Sequence, residues 1–192
     1  MISNHPLIYL ASKSPRRKKL LKQMNLNFKV ISVEIDESVK DNESPLHMVK
    51  RLAAEKLEQA KDKVNNGIII TADTTVVLGN EMLAKPENEA DAKKMLRKLS
   101  GKTHIVYTGF AVYNSINGKT IMDYEKTAVT FRDLKKNEID EYVEAGSPMD
   151  KAGSYGIQDD FGAVFVKKIN GDYYNVVGLP VSKLYTNLLK VI

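Results

Sequence analysis

The chain predicts a mixed α/β (α+β) fold, and three observations carry that prediction. Residues 68–78 form a β-branched run of the kind that fills a central strand. Ser14-Pro15 and Ser44-Pro45 each place a capping side chain before a first-position proline, opening helices between extended runs. Asn117-Gly118 and Asn170-Gly171 punctuate further extended runs as hairpin turns. Helices interleaved with hairpins require a mixed sheet rather than a purely doubly wound parallel one.

In chain order, residues 7–10 read as a short apolar strand that stops and turns into a helix. Residues 28–35 are extended and run into an acidic corner at Glu34, Asp36 and Glu37. Ser44-Pro45 opens a helix whose apolar positions Val49, Leu52, Ala53, Leu57 and Ala60 follow the helical period. Asn65-Asn66-Gly67 closes it, the strand of residues 68–78 follows, and Gly79-Asn80 turns the chain into residues 81–84. Lys85-Pro86 breaks the chain before a helix over residues 89–99, with Gly101 as its terminating glycine. Residues 103–113 and 121–131 pair around Asn117-Gly118. A helix capped by Asp133 carries Ile139, Tyr142 and Val143 inward and stops at Gly146. Residues 162–169 and 173–177 are expected to form a hairpin about Asn170-Gly171, and a helix over residues 181–189 follows Gly178-Leu179-Pro180. No repeat or long linker divides the chain, which reads as one domain over residues 1–192.

Composition narrows the function. Hydrophobic residues at 43% and charged residues at 28% describe a globular chain rather than a disordered one. The net charge of +5 comes from scattered lysines and favours anionic partners without choosing among them. With no cysteine, disulfides, thiolate catalysis and thiolate zinc sites are excluded. No signal peptide or membrane-length apolar run is seen, so a cytoplasmic location and no membrane association are expected. P-loop, dinucleotide and nucleophile-elbow motifs are missing, and His5, His47 and His104 are not spaced as a metal pair.

Two placements are unusual. Arg16 and Arg17 fall in the first turn of the helix opened by Ser14, where the macrodipole is already positive. Such an end awaits an anion, a phosphate above all, or else belongs to a solvated basic face with Lys18, Lys19 and Lys22; spacing leaves the two readings level. Asp73 interrupts the most apolar run of the chain. It is either a structural cap or a general base or metal-bound carboxylate, and it needs a cation or a hydrogen-bond network. Glu34, Asp36 and Glu37 could share a divalent ion with it, although each alone is more often a solvated acid. Lys56 is explained most simply by a stem covering apolar surface. Lys85 stands at a fixed corner beside Pro86. The segment Lys151-Ala152-Gly153-Ser154-Tyr155-Gly156-Ile157-Gln158 is rich in small residues, and Gln158 offers donors and an acceptor that match an imide edge or serve a plain polar loop.

With these residues assembled, the chain resembles the Maf family of nucleoside triphosphate pyrophosphatases, specifically its dTTP/UTP subgroup. The resemblance rests on Leu10-Ala11-Ser12-Lys13-Ser14-Pro15-Arg16-Arg17, Ala72-Asp73-Thr74, Leu83-Ala84-Lys85-Pro86, Met95-Leu96-Arg97-Lys98-Leu99-Ser100-Gly101, the segment from Asp150 to Gln158, and Val177-Gly178-Leu179-Pro180. It implies a twisted mixed sheet flanked by helices, two lobes around a cleft as in inosine triphosphate pyrophosphatases, and a homodimer. It implies hydrolysis of a nucleoside triphosphate, dTTP or UTP, to the monophosphate and pyrophosphate with a divalent cation, magnesium or manganese. Asp73 matches the proton acceptor. Arg16, Thr74 and Gln158 match the positions that mark the subgroup, Glu37 a carboxylate linked to the metal, and Lys56 and Lys85 lysines facing the phosphates. Ser14 and Arg17 complete the expected triphosphate grip. Asp159-Asp160-Phe161 departs from the glycine that many members carry after the glutamine. The competing class is a non-enzymatic regulator of septum formation that binds nucleic acid or a division partner. Carboxylates in the anion site argue against it, so no stable nucleic-acid complex is expected.

Overall fold

The computed structural model describes residues 5–146, 148–158 and 160–192. The chain runs through strand β1 (Ile8–Leu10), helix α1 (Pro15–Gln23), β2 (Phe28–Val30), α2 (Pro45–Lys61), β3 (Ile68–Leu78), β4 (Glu81–Leu83) and α3 (Glu89–Leu99). It continues through β5 (Thr103–Asn114), β6 (Thr120–Phe131), α4 (Lys136–Glu144), β7 (Val166–Asn170), α5 (Tyr173–Val177) and α6 (Val181–Val191). One seven-stranded sheet has the order β2-β1-β3-β5-β6-β7, with β4 attached to β3. β1 is parallel to both β2 and β3, whereas β3–β4 and β6–β7 are antiparallel, so the sheet is mixed as its turns required. No described helix is long and apolar enough to cross a membrane.

The chain divides into two units. The first gathers Met1–Asp73, Thr108–Glu125 and Gly178–Ile192, the second Thr74–Tyr107 and Lys126–Val177. In the first, α2 begins where Ser44 Oγ accepts the His47 N–H at 3.2 Å, and its apolar stripe is buried from Val49 to Ala60. Leu57 and Ala60 pack with Ala11, Val64, Ile69 and Ala111, which locks the helix onto β1, β3 and β5. Gly109 lets that approach happen, since a Cβ there would lie 2.6 Å from the Val49 backbone. The second unit is built on edge-to-face rings. Phe131 meets Tyr155 at 4.7 Å and His104 at 5.0 Å, and Tyr142 meets Phe165 at 5.0 Å.

Three expectations need correction. Within the extended run after α1 the strand itself is short, ending at Val30 with the Ile31 N–H still bonded to the Leu10 carbonyl. Beyond it the chain is held by side chains, Lys63 on the Ser32 carbonyl and Gln59 on the Glu34 N–H. Asp133 does not cap α4. Lys135 is the cap position, and the Glu138 carboxylate accepts its N–H at 2.8 Å while also gripping Arg132. Residues 173–177 are helix, not the second arm of a hairpin. β7 pairs backwards with β6, and Asp172 then starts α5 by accepting the Tyr174 N–H at 2.7 Å. Buried Asn175, on that helical turn, donates to the Val106 carbonyl and to Thr127 Oγ1.

Candidate functional site

The positive end of α1 is built from its own sequence. Ser14 is the cap, its Oγ accepting the Arg17 N–H at 3.4 Å, and Pro15 takes the first position with no acid in the first turn. The two arginines then part. Arg16 is half-buried, whereas Arg17 is 9% exposed and turns inward. Its Nε donates to the Gly178 carbonyl at 2.9 Å and its Nη1 to Ser12 Oγ at 3.3 Å. Burial pulls the Arg17 guanidinium below its ordinary value, Asp73 draws it back up, Arg16 pushes it down and Glu37 raises it. A guanidinium keeps its proton through such shifts, so a fixed cation stands at a helix N-terminus.

Asp73 has the cation that its apolar strand demanded. Lys56, on the buried face of α2, places Nζ 2.7 Å from Asp73 Oδ1 and 2.6 Å from Glu37 Oε1. The Lys56 side chain is 10% exposed and its ammonium is paired with both carboxylates, so the expectation of a mere apolar stem is overturned. Thr71, two residues before Asp73, anchors β3 to α2 by donating to the Ala53 carbonyl at 2.7 Å. That contact holds the strand in register with the lysine.

Of the three acids in the corner, only Glu37 reaches this ion pair. Glu34 pairs with Lys13 on the surface, and Asp36 accepts both the N–H and the hydroxyl of Ser38. Irregular backbone carries Glu37, so side chains must position it. Arg51 grips Glu43 with two bonds of 2.7 Å and donates to the Ser38 carbonyl at 3.0 Å. That pairing holds the Glu43 carboxyl down at about 2. Spacing gave no sign of the Glu43–Arg51 clamp or of Ser12 beneath Arg17, since both depend on chain that returns through space.

The second unit holds the remaining predicted residues. Thr74 is half-buried on β3, Lys85 is exposed after β4, and Gln158 is half-buried at the end of its loop. The Gly153 N–H donates to the Ala84 carbonyl, which ties that loop to the corner carrying Lys85. Gly153 and Ser154 both take left-handed backbone, and a Cβ on Gly153 would lie 3.0 Å from Val76. Lys151, absent from the expected set, is buried and pairs with Asp150 at 2.9 Å. Asp159 and the Asp160 side chain lie outside the described residues, so the loop departure has no structural account.

Two carboxylates, Asp73 and Glu37, thus converge on one cationic point. Among the described residues, no group of three or more His, Cys, Asp or Glu forms a metal cage. A pair of hard oxygen donors fits a magnesium- or manganese-type ion that draws its other ligands from water and phosphate.

The chain is similar to proteins of known name over nearly all its length. It is 45% identical over 177 residues to a dTTP/UTP pyrophosphatase of Clostridioides difficile, covering 92% of this chain and 91% of that protein. It is 48% identical over 181 residues to one of Bacillus mycoides (94% and 93%) and 46% identical over 178 residues to one of Dictyoglomus thermophilum (92% of each). A solved HAM1 protein from Coxiella burnetii aligns over 96% of this chain and 98% of that one at 13% identity, TM-score 0.49. The fold stands on its own strand order and draws nothing from that last likeness. Residues 7–191 match the Maf family, described as Maf-like protein, and take in every residue of the Arg17–Glu37–Lys56–Asp73 cluster: the chain belongs to the Maf-like protein family.

Proposed function

We propose that this protein is a nucleoside triphosphate pyrophosphatase that hydrolyses dTTP and UTP to the monophosphate and pyrophosphate. The observation that carries the reading is the cluster of buried Arg17, Lys56 and Asp73 with solvent-facing Glu37 at a positive helix end. Relatives at 45–48% identity bear that activity as their name. A protein that merely gripped a phosphodiester backbone would gain nothing from Asp73 and Glu37.

In this reading Arg17, Arg16 and the positive N-terminal end of α1 take the negative charge of the triphosphate. Asp73 orients the attacking water and accepts its proton as oxygen bonds to the α-phosphorus. The bond from the α-phosphorus to the bridging oxygen breaks, and pyrophosphate leaves with that electron pair. Lys56 and Lys85 offset charge that builds on the phosphoryl oxygens and on the leaving group. Glu37 and Asp73 would hold the divalent ion, which supplies a Lewis-acid charge that makes water a stronger acid. Thr74 and Gln158 enter as the base-choosing positions. Gln158 can pair with the imide N–H and a carbonyl of uracil or thymine, an edge that cytosine lacks. A homodimer acting in the cytoplasm, without a stable nucleic-acid complex, completes the proposal.

A nucleotide panel with magnesium and with manganese, read as pyrophosphate release, tests it. dTTP and UTP should be turned over well ahead of CTP and the purine triphosphates. Equal turnover of CTP and UTP would refute the Gln158 assignment, and no release from any nucleotide would refute the activity.

A further inference from the structure

The cation position between Glu37 and Asp73 already has an occupant. Lys56 Nζ lies 2.6 Å from one carboxylate and 2.7 Å from the other, at distances where an ammonium makes charge-assisted hydrogen bonds to both. Its stem is rooted between the buried residues Leu52, Ala53 and Leu57 on α2. The Lys56 and Asp73 side chains are 10% and 12% exposed, so water screens the pair poorly.

A divalent ion that draws on the same two carboxylates competes with this ammonium, because like charges against shared oxygens repel. Lys56 can yield only by giving up both buried Asp73 and half-exposed Glu37 while its own side chain stays buried, which is costly for a lone ammonium unless another anion receives it. Arg17, fixed nearby by Ser12 and Gly178, adds further positive charge against an incoming free ion. A triphosphate changes both terms: its oxygens offer Lys56 a new partner and offset Arg17.

We propose that Lys56 is a specificity device that keeps the ion position closed to free metal. The species the resting protein accepts is therefore the divalent metal–triphosphate complex. This rests on the assignment of Glu37 and Asp73 to a divalent ion in the proposed function. It goes beyond that assignment by naming the substrate species and the residue that enforces it.

Free manganese binding, measured without nucleotide by loss of the aqueous Mn2+ resonance signal, reads the device without turnover. Wild-type protein should bind free Mn2+ weakly, and Lys56→Met should bind it at least about ten-fold more tightly. Mn2+ should also raise the Tm of Lys56→Met more than that of wild type. Adding Glu37→Gln to Lys56→Met should erase the gain. Lys56→Met binding no tighter than wild type overturns the proposal, as does a gain that survives Glu37→Gln.

A measurement on the wild-type chain keeps the idea testable should Lys56→Met fail to fold. The isotope-labelled Lys56 Cε resonance should hold still with Mg2+ alone and move with Mg2+ plus an α,β-methylene analogue of dUTP. Movement with Mg2+ alone, or none with both, overturns it. Neither readout needs hydrolysis, so a failure of the pyrophosphatase reading would be seen separately in the nucleotide panel.

Discussion

Asp73 shows how one side chain joins folding to chemistry. A carboxylate inside β3 is tolerable because Lys56 meets it at 2.7 Å, and the same strand position sets it beside Arg17. Asp73→Asn keeps the shape and removes the proton acceptor of the proposed function. Its pyrophosphate release from dTTP and UTP should fall by about a hundred- to ten-thousand-fold, the usual contribution of a positioned base. Far-UV circular dichroism should stay native, and an unchanged rate would remove Asp73 from its assigned role. Arg17 teaches a related lesson. Of two adjacent arginines at one helix start, the inward one is that which finds Ser12 and the Gly178 carbonyl.

At the scale of elements, α2 carries the most responsibility. Leu52 and Leu57, each 1% exposed, contribute about 1.5–3 kcal/mol apiece by burial, and that holds Lys56 against β3. The helix also carries Arg51, whose grip on Glu43 and Ser38 fixes the irregular chain around Glu37. Its start depends on the Ser44 cap, where Oγ accepts the His47 N–H. Ser44→Ala should cost about 1 kcal/mol in urea unfolding with the slope of the transition unchanged. A loss near zero would mean that Pro45 and the Glu43 network define the helix start without the hydroxyl. α4 tells the complementary story, since its start is secured by Glu138 reaching back to the Lys135 N–H.

At the scale of the whole molecule, acid stability turns on His104. Its ring is 1% exposed, its Nε2 meets Tyr155 Oη at 2.8 Å and its Nδ1 has no hydrogen-bond partner among the described residues. Burial pushes its pKa from 6.5 down to about 4. The unfolded chain therefore takes up a proton below about pH 6.5 that the folded chain refuses until about pH 4. This part of the stability is complete above pH 6.5, declines as pH falls and is gone below pH 4, a span on the order of 3 kcal/mol. His104→Gln should flatten the dependence of unfolding free energy on pH across that window, whatever it does to stability at neutrality. An unaltered slope in denaturant titrations from pH 7 to pH 4 would show that His104 titrates freely.

The legible part of this protein follows rules that act over a few residues. Capping and helical period placed α1 and α2, β-branching placed β3, and the charge anomalies singled out Asp73 and the adjacent pair Arg16 and Arg17. What stayed hidden depends on partners far away in the chain. Arg17 faces inward because of a carbonyl 161 positions later, and Lys56 abandons water for an aspartate 17 positions on. Glu37 rather than Glu34 or Asp36 joins them because Arg51, on α2, holds the Ser38 carbonyl next to it. The Asn170-Gly171 turn misled for the same reason. A turn signal is local, but whether the next residues become strand or helix was decided by β6 pairing with β7 and by Thr127 and Val106 receiving Asn175. Local chemistry thus marked the unusual charged groups, and only long-range pairing chose which of them meet, because burial and charge are settled by neighbours in space.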